Sequence, residues 1–480
     1  ITPSMTYKEL KDALLRAGVS NAELFGAPGK PALLAVAQRH GLHPAGASEP
    51  SEPRSLPTVA SVSSALAVNP RMTNATAASA AAQRRLESSR NRVPEQRLKP
   101  SVAVATVDVA SAASPTTETA TTAATEDTRR ADALAIAEKT DWSDLVPAGA
   151  GFRIAETAER GLQLKQLEAV FAHLQRRVQS ELWMTRPPGG QATPVELPEA
   201  VTLYTCATYV ILPATVREKT SLVELVATGP QLPQWFVSHW WGEPVADFLA
   251  CLTQHAKDRE LTGESACYWI CAYANNQWEL SDSLSDDPFK TSFNKALSMV
   301  RGTVTIIDGG GVVYSRIWCA FEAYVTITTG RPEYKWDVYT TRFEAREGER
   351  VRVTTGITDG LAEVDDGFIL LKATREEKFP LPLGRDSLGI TLETAKASVD
   401  ADRVHILNAM IGAKDLNAPP PAAHADYDWL NAVIRAKFAL ATLRKAIASG
   451  EAEPFLRAIS SASIRRVDIN LEGCKGFNEK

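Results

Sequence analysis

Trp235-Phe-Val-Ser-His-Trp-Trp-Gly242 is the stretch on which the fold turns. Its first residues are apolar on both faces, as a strand covered by helices on either side requires, and the rest form a polar-aromatic loop ending in glycine. The same pattern recurs downstream. Residues 235–239, 266–274, 303–308 and 334–341 read as strands, and 245–257, 288–300 and 315–327 between them read as helices. Val304-Thr-Ile-Ile307 is again apolar on both faces, while Phe293, Ala296, Leu297 and Val300 make one helical stripe and Val245, Phe248, Leu249 and Leu252 another. Strand and helix in alternation imply βαβ crossovers, hence an α/β domain with an open parallel sheet flanked by helices.

Outward from this centre the chain changes character. Residues 7–41 read as helix, loop, helix, with Leu10, Leu14 and Leu15 on one and Leu33, Leu34 and Val36 on the other. Between Gly26 and Asp141 there is no Phe, Tyr or Trp, and 44–140 is Ala, Ser, Thr and Pro with scattered charge. Such a composition predicts a disordered linker carrying one transient helix near 77–88. Leu164, Leu167, Phe171, Leu174, Val178 and Leu182 then predict one long amphipathic helix across 155–184, stopped by Pro187-Pro-Gly-Gly190. Past the α/β region, 351–364 and 368–372 read as a further strand and connection, 401–410, 427–448 and 453–460 as helices. The expected division is 1–43, linker 44–140, helix and connector 141–200, α/β domain 201–415, helical segment 416–462 and a closing unit 463–480.

Composition narrows the function classes. A net charge of -5 over 480 residues gives no basic excess for nucleic acid. No apolar run approaches the ~18 residues that cross a bilayer, so no membrane partner is expected. Six sparse cysteines on strand-like and helix-like segments predict reduced thiols and an intracellular, cytoplasmic protein without disulfides. The chain opens on Ile1 with no signal-peptide pattern.

In open α/β sheets ligands bind beyond the carboxyl ends of the strands. Ser238, His239, Trp240 and Trp241 leave the first strand, Asn275, Asn276 and Trp278 the second, and Asp308, Gly309 and Gly310 the third. Together they predict a crevice of amides, a hydroxyl, an imidazole and indoles, with a glycine loop for phosphate. Each has a plainer use. A lone His after a strand commonly serves as a structural hydrogen-bonding group, and the glycine run lacks the Lys and Ser/Thr of a P-loop. Cys267 and Cys271, placed on one strand face about 13 Å apart, cannot pair on zinc, and no metal is expected. No Gly-x-Ser-x-Gly elbow supports a serine hydrolase.

Ser315-x-x-Trp318-Cys319-x-x-Glu322 completes the pattern. With Phe236-Val237-Ser238 and the loop 275–287, it resembles a divergent Toll/interleukin-1 receptor (TIR) domain over about 235–412, which implies a flavodoxin-like sheet. In enzymatic members the Glu of that helix acts in NAD cleavage, so the resemblance implies Glu322 as the catalytic residue, NAD as substrate rather than prosthetic group, and self-association. Non-catalytic members are docking modules for other signalling domains. His239-Trp-Trp-Gly-Glu243 and the acidic loop with Asp282, Asp286 and Asp287 depart from the family pattern. On the residues alone, Trp318 and Cys319 suit a core-facing helix side, Ser315 an N-cap, and Glu322 either a pocket or a partnership with Arg316. The phrases Ser-His-Trp-Trp-Gly-Glu, Ala-Tyr-Ala-Asn-Asn-Gln and Arg-Ile-Trp-Cys-x-Phe-Glu resemble multidomain proteins of unicellular algae. The first 43 residues resemble SAP or LEM modules, and Ile464 to Phe477 resembles one leucine-rich repeat, which cannot bury its own apolar face and so is expected either to open a repeat array or to dock elsewhere.

Overall fold

The computed structural model describes Ala13, Leu14, Arg16, Ala17, Ala37 and residues 118–185, 191–280, 285–346, 348–359 and 376–462. The transient helix at 77–88, the part of the expected strand and connection (351–364 and 368–372) beyond residue 359, and the leucine-rich unit at 463–480 lie outside them. A helix α1 (Glu118–Ala137) occupies the end of the expected linker, correcting that expectation. Ala133 and Ala137 are buried against Leu212, Val216 and Trp278. Alanine needs no large apolar group to pack when a neighbouring surface is flat, so composition alone under-reads such a helix.

The expected helix across 155–184 is shorter than its pattern. A 3-10 turn (Thr157–Glu159) and strand β1 (Leu162–Gln163) precede α2 (Leu164–Ser180). At the break Gly161 lets the chain pass close to its neighbours, since a Cβ there would lie 2.5 Å from Cys267 Sγ and 2.6 Å from Gln231 O. Gln163 and Gln166 then form a capping box that starts α2. Leu182, predicted on the same seam, is 77% exposed.

β2 (Trp235–Ser238), β3 (Cys267–Trp269), β4 (Gly302–Ile307), β5 (Lys335–Arg346) and β6 (Glu349–Ile357) complete a six-stranded sheet in the order β1-β3-β2-β4-β5-β6. The pairs β3–β2, β2–β4 and β4–β5 are parallel, whereas β1 and β6 join the two edges antiparallel. The sheet is therefore mixed at its edges around the expected parallel centre. Numbered by the parallel strands alone, the order is 2-1-3-4, that of flavodoxin-like sheets, with its switch point between β2 and β4. Gly302 allows β4 to lie close to β5, because a Cβ there would sit 2.4 Å from Lys335 O.

Side chains alternate across the sheet as the two-residue period demands. Trp235, Val237, Val304, Ile306 and Tyr339 face a core shared with α2 and α3 (Val245–Asp258). Phe236 and Trp269 meet Phe293 of α4 (Ser292–Met299), and Ile307 and Val338 meet α5 (Ile317–Thr328), α6 (Asp400–Met410) and α7 (Ala425–Ala448). Helix α7 thus shares the core of the α/β unit, and α8 (Ala452–Ser461) packs on α7 through Phe455 and Ile459. One expected element changes type: after Trp269 the chain turns into a helical turn (Cys271–Ala274), so Cys267 and Cys271 share no strand face. Among the described residues no helix is long and apolar enough to cross a membrane.

Candidate functional site

Ser238 is the last residue of β2, and the alternation that sends Val237 toward α3 sends Ser238 toward α5. There it meets Glu322, in the second turn of α5, one turn beyond Cys319. Both are buried, Ser238 at 2% and Glu322 at 4% exposure. Glu322 Oε2 makes no hydrogen bond. Burial pushes the carboxyl up to about 8, although the Ser238 hydroxyl and Cys319 thiol beside it favour the charged form. Arg316 does not pair with it, its guanidinium instead donating to Ser398 Oγ at 2.9 Å.

The neighbours of Glu322 come from the β2 loop and the turn after β3. His239 is buried, its ring 4.7 Å from Phe248 and its Nε2 3.9 Å from Cys271 Sγ. Burial lowers its pKa to about 4, so it stands as a neutral imidazole at pH 7. Its carbonyl accepts from Cys319 Sγ at 3.5 Å. Trp241 Nε1 donates to Cys271 Sγ at 3.2 Å, and its ring leans on Tyr204 at 5.7 Å. Burial pushes the Cys271 thiol up to about 12, with the Glu322 charge adding to the effect, so it is not a thiolate nucleophile. Trp240 folds across Gly242, where a Cβ would lie 2.2 Å from the indole. Glycine is thus required for the loop to close over its own tryptophan.

Ser238, His239, Trp241 and Glu322 are therefore neighbours in the packed fold rather than the walls of an open crevice. The second-strand residues do not join them. Asn275 Oδ1 accepts from Ser292 Oγ at 3.1 Å, and Asn276 reaches Lys219 O at 2.8 Å while accepting from Trp278 N at 3.1 Å. Trp278 Nε1 donates to Thr215 Oγ1 at 3.0 Å, with the Arg129 guanidinium 5.6 Å from its ring. These three side chains build a turn and anchor it against α1 and the helical turn Leu212–Thr215, which corrects their assignment to a binding crevice.

The glycine loop is also corrected. Asp308 accepts from Gly310 N at 3.0 Å and Val312 N at 2.8 Å, and its carbonyl accepts from Gly311 N at 2.9 Å. Amides engaged by a carboxylate of their own loop are not free to hold phosphate. Gly309 has open space around it, and Gly311 takes the left-handed conformation, φ 66°, that ends the turn. Ser315 is no N-cap either: its hydroxyl donates to Val312 O at 2.6 Å, and α5 starts after Arg316 without a side-chain cap. Trp318 donates to Asp402 Oδ2 at 2.9 Å and stacks on Phe293, joining α5 to α6 and α4.

Three residues were missed by sequence reasoning. Tyr204 and Cys271 reach the cluster only through tertiary contacts. Glu243 stood in the quoted loop; it is 3% exposed with neither carboxyl oxygen hydrogen-bonded, and burial, with Asp308 and Asp247 nearby, holds its pKa well above the usual range. Among the described residues no group of three or more His, Cys, Asp or Glu is placed to hold a metal ion. Chemically, this end of β2 carries two buried carboxyls short of hydrogen bonds, Glu322 at one oxygen and Glu243 at both. Compared with protein-family models, curated proteins and solved structures, the chain matches none.

Proposed function

We propose that this chain carries a TIR-like signalling domain in which Glu322 cleaves NAD-type dinucleotides at the nicotinamide–ribose bond. The observation that supports this reading is the unpartnered Glu322 Oε2, buried at the carboxyl end of β2 beside the switch point. A buried carboxyl oxygen without a donor costs stability that folding alone does not recover, and such costs concentrate at functional sites. In the reaction the C1′–N bond breaks, its electron pair leaves with neutral nicotinamide, and water adds at C1′ with loss of a proton. The ribosyl centre is cationic on the way, and an ionised Glu322 stabilises it and accepts its hydroxyl donors. Arrival of a cationic nicotinamide ring favours ionisation of a carboxyl that otherwise holds its proton to about pH 8.

Access requires the 239–243 loop to move, since Ser238, His239 and Glu322 are all more than nine-tenths buried. Assembly of several copies, which the TIR resemblance implies, is the natural trigger for that movement. The full chain, concentrated or tethered on a scaffold, is expected to release nicotinamide from NAD, and Glu322→Gln to lower the rate at least about 100-fold. Release undiminished by that substitution contradicts the assignment. The second reading is a non-catalytic assembly module; what favours it is that Asn275, Asn276, Trp278 and Asp308 use their polar groups within the fold. Oligomerisation without nicotinamide release under every assembly condition supports that reading instead.

A further inference from the structure

Beyond the Glu322 cluster, the chain has a cavity of about 220 Å³ where the glycine loop after β4 meets the segment following the helix Leu381–Ser387. Glu322 does not line it. A single water needs roughly 10–15 Å³ measured this way, so the space accepts a ligand of about ten heavy atoms. Its lining is mostly acceptor in character, the buried and unpartnered Tyr314 hydroxyl apart. The hydroxyls of Ser315, Ser387, Thr391 and Thr394 line it, and each already donates its proton to a backbone carbonyl: to Val312, Leu383, Gly389 and Thr391 at 2.6, 2.6, 3.1 and 2.7 Å. What those oxygens offer a ligand is therefore lone pairs.

Asp386, which is exposed to solvent, adds a carboxylate to the same wall; no described residue donates a hydrogen bond to its side chain, and Arg385 lies near enough to feel its charge. Its neighbour Arg385 points elsewhere, both its Nε and Nη2 lying 2.6 Å from the Glu451 carboxylate. The glycine-loop amides at the opposite wall are held by Asp308. No lysine or arginine lines the space. We infer that this cavity is a binding site for a small cation rich in N–H donors, an alkyl-ammonium or guanidinium compound, and that it rejects phosphates.

The site joins two parts of the fold. Lys396 N donates to Ser315 O at 2.8 Å and Ile317 N to Lys396 O at 2.9 Å, so the start of α5 is tied to the segment that forms the cavity's far wall. A ligand bridging Asp386 and Ser315 therefore braces the start of the helix that carries Glu322.

Agmatine, which bears both cationic groups on a short chain, is a suitable probe, titrated calorimetrically into the full chain at pH 7 and low salt. Saturable single-site binding is expected, undisturbed by inorganic phosphate. Asp386→Asn should weaken it at least tenfold. Gly389→Leu should abolish it by filling the space, since a Cβ at Gly389 meets only Asp386 O, at 3.4 Å. Both variants are checked for a wild-type melting temperature, and Thr394→Val, which removes one acceptor, replaces either that fails. Glu322→Gln should bind agmatine as the wild type does, which separates this site from the proposed hydrolytic one. Absence of saturable binding, binding unchanged in both cavity variants, or displacement by phosphate overturns the assignment.

Discussion

Asp337 and Glu322 are buried carboxyl groups on opposite faces of one sheet, and they are provided for in opposite ways. Asp337, wholly buried, accepts from Arg259 Nη2 at 2.7 Å and Asp359 N at 2.9 Å, with His255 Nε2 at 3.2 Å. Burial alone would raise its pKa, but the Arg259 and His255 contacts outweigh this and hold it well below the usual carboxylate range. The Trp235 ring lies 5.1 Å from the same guanidinium, and Tyr268 OH is 3.0 Å from His255 Nδ1. Glu322 has one hydroxyl, one thiol and an empty Oε2. Equal burial thus yields a satisfied ion pair in one place and an unsatisfied acid in the other. The first is explained by folding and the second is not; Glu243 shares the unsatisfied state, at both oxygens, so what singles out Glu322 is that state together with its place beside Ser238 at the end of β2.

Removing the satisfied carboxylate should have the largest effect. Asp337→Asn leaves Arg259 buried without its counter-charge, and urea unfolding at pH 7 is expected to show a loss of about 3–5 kcal/mol. Trp278→Ala, in the turn anchored on Thr215 and α1, should lose about 3–5 kcal/mol through its cavity and the stranded Thr215 hydroxyl, with NAD turnover per folded molecule unchanged. Glu322→Gln should behave differently from both, changing stability at pH 5 by less than about 1 kcal/mol because glutamine replaces a carboxyl that is protonated there.

The two carboxyls also carry opposite pH signatures. The folded pKa of Glu322, about 8, lies above the ordinary 4.5, so its contribution is full below pH 4.5 and is lost as pH rises to about 8. The loss has a slope of at most about 1.4 kcal/mol per pH unit, and Glu322→Gln should remove it from a plot of urea midpoint against pH. Asp337, depressed below 3.8, contributes fully above that pH and loses its contribution as pH falls, an acid limb that Asp337→Asn should flatten. A shared pH profile for the two variants would erase the distinction. The smallest effect is expected from Ser238→Ala, about 1 kcal/mol or less in stability, with the Glu322 pKa moving further up because a donor to the charged form is gone.

Much of this comparison was legible in the sequence, and the limits are physical. β2, β4, α3 and α5 show as apolar runs and stripes because they are packed on both sides or on one broad face. The end of β3 was misread because Ile270-Cys-Ala-Tyr-Ala274 is apolar throughout, a run that fits a buried strand and a helical turn equally. β5 runs on to Arg346 and returns as β6, since an edge hairpin can be charged on its open face and still pair its backbone. At the site, Glu322 showed through its spacing from Trp318. The partners of Asp337 lie 78 and 82 positions away at Arg259 and His255, and no local pattern joins residues so distant. Asn276 and Trp278 looked functional for the same reason: their partners Lys219 and Thr215 are visible only in the fold.

The most direct test is nicotinamide release from NAD by the scaffold-assembled full chain, measured across pH 6–9 beside Glu322→Gln and Asp337→Asn. Release by the wild type with kcat/KM rising toward pH 8, loss of at least about 100-fold in Glu322→Gln, and activity proportional to the folded fraction in Asp337→Asn are the predicted results. Equal residual release from Glu322→Gln and the wild type would contradict the account, and would leave the unsatisfied carboxyl without a catalytic role.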